Sequence, residues 1–184
     1  MDALLDQIEA SLGSGHYLLS LYTTLTIPDI AGALSSENGR ASGPKYASWF
    51  ERWVRPRFYE TVLASVPAEH RQYITSMESP LTGDACYRFR CSLLHQGSTQ
   101  HPDSPYSRIM FVEPGAMAGS IHGCTMNDAL CIDLNEFCRE VISGARLWLA
   151  AVETDPLYQK NYNAFVRRYP SGLPPYIVGV PVVA

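Results

Sequence analysis

The segment Tyr87-Arg88-Phe89-Arg90-Cys91-Ser92-Leu93-Leu94-His95-Gln96-Gly97 reads as the closing turns of an amphipathic helix stopped by its glycine. With about 100° of turn per residue, Cys86, Tyr87, Phe89, Cys91, Leu93 and Leu94 fall on one broad apolar arc. Arg90 lies in the middle of that arc, while Arg88, Ser92 and His95 share the opposite side. A guanidinium directed into an apolar face needs a partner or a ligand, because an unpaired buried charge costs several kcal/mol.

Arg90 and His95 are the one place where a cation and a titrating imidazole come close together in a chain otherwise suited to packing. An imidazole moves protons near neutral pH, since its unperturbed pKa is about 6.5, and a guanidinium holds phosphate oxygens through a planar fork of donors. Those two groups are a minimum kit for cutting RNA without a metal. On an ideal helix positions i and i+5 lie about 140° apart. Arg90 is therefore expected to meet His95 only if the last turn loosens or a second copy of the helix supplies one of them. Arg88 is nearly in line with His95, so Arg88, Arg90 and His95 together are the candidate catalytic residues. The competing reading is a surface histidine beside a buried arginine ion pair.

Outward from this helix the pattern stays mainly helical. Leu4, Leu5, Ile8 and Leu12 recur at helical spacing up to Gly13, Tyr17 to Leu25 makes a second helix, and Ile27-Pro28 starts a further turn to Leu34. Ser35 to Pro44 is rich in turn formers, and Trp49, Phe50, Trp53 and Val54 then form an aromatic face expected in the core. After Gly97, Arg108-Ile-Met-Phe-Val112, Gly119-Ser-Ile-His122-Gly123 and Leu130-Cys-Ile-Asp133 read as three short strands in a hairpin or meander. Asp133 followed by Glu136 resembles a cap for the most strongly patterned helix, Phe137 to Val152. Asp155-Pro156 opens a last helix running to about Tyr169, and the apolar tail from Tyr176 to Ala184 is expected to dock on the protein or on a neighbouring subunit.

The 184 residues, without a linker-like stretch, make one domain the default, residues 1–184 with a β insertion at about 106–133. Charged residues are 17% against roughly 25% for an average soluble domain, so some surface is expected to be covered by a partner, most simply a homodimer. A net charge of −4 argues against broad electrostatic adhesion to nucleic acid and confines any RNA contact to a local patch. Twelve Arg against two Lys favours forked phosphate contacts or reflects base composition alone. Five cysteines without close CxxC pairs read as reduced, mostly buried thiols. The acidic start Met-Asp-Ala-Leu-Leu-Asp and the lack of any apolar run of roughly 20 residues lead to the expectation of a cytoplasmic protein without a membrane span.

Arg90-Cys-Ser-Leu-Leu-His95-Gln-Gly97, late in a helix of a mainly helical acidic chain, resembles the Arg-x4-6-His motif of the HEPN superfamily. The likeness to a bacterial branch of that group spans about Leu81 to Leu149, including Arg108 to Gly115 as a hairpin after the motif and Phe137-Cys138 and Trp148-Leu149 on the following helix. It implies a HEPN-type helical bundle, a metal-independent endoribonuclease acting as a homodimer, and a toxin or phage-defence role regulated by an antitoxin or other partner. The family commonly places Asn or Asp directly after the arginine, where this chain has Cys91, a poor hydrogen-bonding substitute. That departure supports the alternative of a catalytically inactive HEPN-like dimer binding a nucleotide or a protein partner.

Other candidates are weaker. Cys86, Cys91 and His95 are far apart around the helix for a metal site, His122 is a secondary proton carrier or a structural residue, and Gly-rich phosphate loops are lacking. No cofactor or metal is implied.

Overall fold

Asp133 starts the helix around which the chain is arranged, its carboxylate accepting the Glu136 N–H at 3.0 Å. In the computed structural model, which describes residues 1–116 and 121–184, the order is α1 (Asp2–Gly13), α2 (Tyr17–Thr24), α3 (Ile27–Leu34), α4 (Gly43–Trp53) and α5 (Arg57–Ser65). A 3₁₀ turn (Ala68–Tyr73), α6 (Gly83–Gln96), β1 (Arg108–Val112), β2 (Cys124–Met126), β3 (Ala129–Asp133), α7 (Leu134–Val152) and α8 (Pro156–Tyr162) follow. The chain is mainly helical, as its periodicity predicts. Among the described residues no helix is long and apolar enough to cross a membrane.

α7 buries Phe137, Cys138, Val141, Ile142, Ala145 and Trp148 and packs against α1, α2, α4 and α5. Trp148 meets Trp49 and Tyr158 edge to face, with ring centroids 6.1 and 5.6 Å away, an arrangement that suits the quadrupoles of all three rings. The aromatic face of α4 is core, with Tyr46, Trp49 and Phe50 buried. α4 can press this closely on α7 because Gly144 has no Cβ; one added there would strike the carbonyl oxygen of Trp53.

The small sheet differs from the expected meander. β3 is central, pairing parallel with β1 and antiparallel with β2. Ala129 to Ile132 are all buried, and a strand covered on both faces is the natural centre of a sheet. The hairpin joins β2 to β3 through Asn127 and Asp128, both at positive φ (49° and 62°), the two-residue turn that matches strand twist. Arg108 to Gly115 is one strand and a turn, not a hairpin, because β1 finds its partner across the intervening residues. The strand expected over Gly119 to Gly123 begins outside the described residues, and Ile121 to Gly123 leads into β2 as a turn whose Gly123 N–H donates to the Cys131 carbonyl at 2.9 Å.

One further expectation, the length of the last helix, is corrected at the C-terminus. α8 stops at Tyr162, where Ala164 and Phe165 switch to i−3 hydrogen bonds, and Arg168-Tyr169 pairs as a two-residue strand, β4, with Val182-Val183. The tail docks through its backbone, Arg167 and Ala184 exchanging hydrogen bonds at 2.7 and 3.0 Å, while Tyr176 and Val178 stay exposed at 84% and 72%.

Candidate active site

Three helices build the site. Thr82 caps α6 by accepting the Ala85 N–H at 3.2 Å, and Glu51 from α4 accepts the Gly83 N–H at 2.7 Å, placing a carboxylate at the positive end of the helix. At the other end Gly97 adopts φ 64°; its N–H bonds the Leu93 carbonyl, and Ser98 N–H reaches the Ser92 carbonyl. His95 thus sits on a closed, exposed last turn.

Arg90 does not need a second copy to reach His95. Its Nη1 lies 3.0 Å from His95 Nε2 within the same chain, on a helix that stays regular to Gln96. The guanidinium, at the end of three methylenes, spans the angular gap that backbone positions leave. Because a guanidinium only donates, Nε2 is the acceptor and the neutral ring carries its proton on Nδ1.

The partner that an arginine on the apolar arc requires is Asp29, in the first turn of α3. Arg90 Nε lies 2.7 Å from Asp29 Oδ2, with side-chain exposures of 19% and 16%. The angle falls outside hydrogen-bond geometry, so this is an ion pair without an aligned donor. Burial pushes the Asp29 carboxyl above its ordinary range, and the guanidinium, the larger opposing influence, and His95 only partly draw it back. Sequence reasoning missed Asp29: the arc demands a carboxylate but does not select one from another helix.

Arg88 is not part of this constellation. Its Nη1 donates to the Asp103 carbonyl, tethering the loop after α6. Ser92, expected on the polar side, is buried, since α6 is packed by α4 on one side and by Phe111 against Phe89, centroids 5.3 Å apart, on another. Cys86 is buried against the Tyr46 hydroxyl at 3.4 Å, its thiol pushed up to about 12 by burial. Tyr87 is raised as well, first by its contact with the Cys91 thiol and then by burial. His122 pairs with Glu140 at 3.2 Å, with side-chain exposures of 4% and 7%, and lies against Phe58 with the rings tilted at 33°, which makes the pair a structural link between the β2 approach and α7. Among the described residues no group of three or more His, Cys, Asp or Glu is placed to hold a metal.

The arrangement offers one exposed imidazole, a guanidinium with three of its five N–H donors outside the two contacts described, and a carboxylate behind them. Comparison with protein-family models, curated proteins and solved structures finds no match to the chain.

Proposed function

We propose that this chain is a metal-independent endoribonuclease of the HEPN type, acting as a homodimer in a toxin or phage-defence setting and regulated by an antitoxin or another partner that covers the site. The observation that carries the reading is the 3.0 Å Arg90–His95 pair on an exposed helix end. RNA cleavage of this class needs a group that takes the proton of the ribose 2′-hydroxyl as its oxygen attacks phosphorus. It also needs donors for the charge gathering on the phosphate oxygens and a proton for the departing 5′ oxygen. His95 takes the first proton once a phosphate draws Arg90 away from Nε2, and Arg90, with its Nε held by Asp29, turns its remaining donors to the phosphate. The imidazole of the second copy protonates the leaving oxygen. The P–O5′ bond breaks, leaving a 2′,3′-cyclic phosphate and a 5′-hydroxyl.

The test is cleavage of RNA in EDTA by wild type, Arg90→Ala and His95→Ala. Loss in both variants with cyclic-phosphate ends in the wild-type products supports the reading; equal residual cleavage in all three overturns it.

A second reading is favoured by Cys91 after the arginine and by the partial use of Arg90 on Asp29: a catalytically inactive HEPN-like dimer that binds a nucleotide or a protein partner. It predicts no activity in any of the three proteins, with His95→Ala affecting binding alone.

A further inference from the structure

All three tryptophans of the chain, Trp49, Trp53 and Trp148, line one cleft of about 770 Å³ bounded by α4, the loop after α3 and the C-terminal end of α7. Asp29, Arg90 and His95 are not among its lining residues, so it is a separate site. Its size falls within the roughly 300–1,000 Å³ range of small-molecule pockets. Trp49 and Trp148 are buried and locked edge to face, which makes a rigid apolar floor, whereas Trp53 is only half-buried and leaves ring surface open.

The α4 wall carries two cations that, among the described residues, are in no ion pair. Lys45 and Arg52 are seven positions apart, two helical turns, and therefore project on one side of α4 with Ser48 and Trp49 between them. The Arg52 guanidinium lies 5.0 Å from the Trp53 ring centroid and, among the described residues, has no carboxylate within ion-pair distance. Lys45 Nζ is steered by neutral oxygens, the Arg40 carbonyl at 2.8 Å and Asn38 Oδ1 at 3.3 Å, which orient the ammonium without neutralising it. The indole N–H of Trp49 is buried and, among the described residues, meets no acceptor. Two carboxylates also line the cleft, on other segments. Asp155 is committed to the start of α8, accepting the Leu157 N–H at 2.7 Å, and Glu37 is exposed on the loop.

We propose that this cleft binds a small planar aromatic molecule bearing an anionic group, its ring against Trp53 and its anion between Lys45 and Arg52. A guanidinium held 5.0 Å from an indole centroid keeps its charge beside an aromatic ring, and an aromatic anion satisfies both the ring and the charge at once. The inference stands independently of the ribonuclease reading.

Because every tryptophan reports on the cleft, tryptophan emission is the readout, and 4-nitrophenyl phosphate, a planar quencher, is the probe. The expected result is saturable quenching in the full chain with half-saturation on the order of 1 mM or below. Arg52→Gln and Lys45→Gln should each raise that concentration about tenfold or more, with far-ultraviolet circular dichroism unchanged. Inorganic phosphate and neutral 4-nitrobenzyl alcohol should each bind more weakly than the combined molecule. Quenching that never saturates, half-saturation that neither variant moves, or an alcohol that binds as tightly as the phosphate would overturn the proposal.

Discussion

Arg90 and His95 pair across five positions of one unbroken helix, guanidinium Nη1 to imidazole Nε2 at 3.0 Å, while the other side of the same guanidinium faces Asp29 at 2.7 Å. The arginine is thus a hinge between a half-buried carboxylate and an exposed ring. Its position on the apolar arc and its availability at the surface are two ends of one side chain.

If the pair acts as a unit in cleavage, its two members should not contribute additively. His95→Ala is expected to lower the single-turnover cleavage rate roughly 10²–10⁴-fold, the range for loss of a general acid or base. Arg90→Ala should cost a similar factor, and the double variant little more than either alone. Cleavage rates that multiply across the two substitutions would mean independent roles.

Asp29 gives the site a pH signature in stability. Its folded carboxyl titrates above the ordinary 3.8, so its contribution is complete below that value and is lost as the pH rises through the raised one. Asp29→Asn has no such titration. Compared by urea unfolding at about pH 3 and about pH 7, the variant should gain on wild type towards neutral pH. A variant that loses ground over that interval would mean that the ion pair with Arg90 outweighs the cost of burial.

What the residues announced in advance were the features set by local chemistry. Pro28 starts α3, Asp133 caps α7, Gly97 closes α6, and the aromatic spacing of α4 marks a core face, each because a backbone angle, a missing N–H or a periodic stripe decides it. The strand order escaped because β1 pairs with a strand beginning seventeen residues after its own last residue, a choice made by burial of β3 rather than by any turn signal except Asn127-Asp128. The candidate site was half legible. The spacing identified Arg90 and His95, but a planar projection of the helix kept them apart and overlooked the length of an arginine; Asp29, on another helix, has no sequence signature that links it to residue 90.

Gly144 should resist even the smallest enlargement. Alanine is the better helix former by about 1 kcal/mol, so an exposed glycine in α7 would gain from the change. Here the added methyl meets the Trp53 carbonyl oxygen, backbone that cannot rotate away. Gly144→Ala is expected to destabilise by about 1–3 kcal/mol, a fall in Tm of several degrees at this chain length, with a shift in tryptophan emission as α4 withdraws from α7. A higher Tm would show that the α4–α7 approach is not as tight as drawn.

The five cysteines are free thiols in very different surroundings, and a labelling experiment on native protein can rank them. Burial pushes Cys86 up to about 12 and Cys138 up to about 11, which keeps those two thiols neutral, and Cys131 is buried in β3, so all three are screened from reagents. Cys124 is exposed on β2, and Cys91 is partly covered. A chromogenic disulfide reagent at neutral pH should therefore label Cys124 first and Cys91 more slowly. The remaining three should react only when the protein unfolds. Cys124→Ser should abolish the fast phase and leave the fold intact; a fast phase that survives, assigned by mass spectrometry to Cys86 or Cys138, would contradict the packing of α6 on α4 or of α7 on α2.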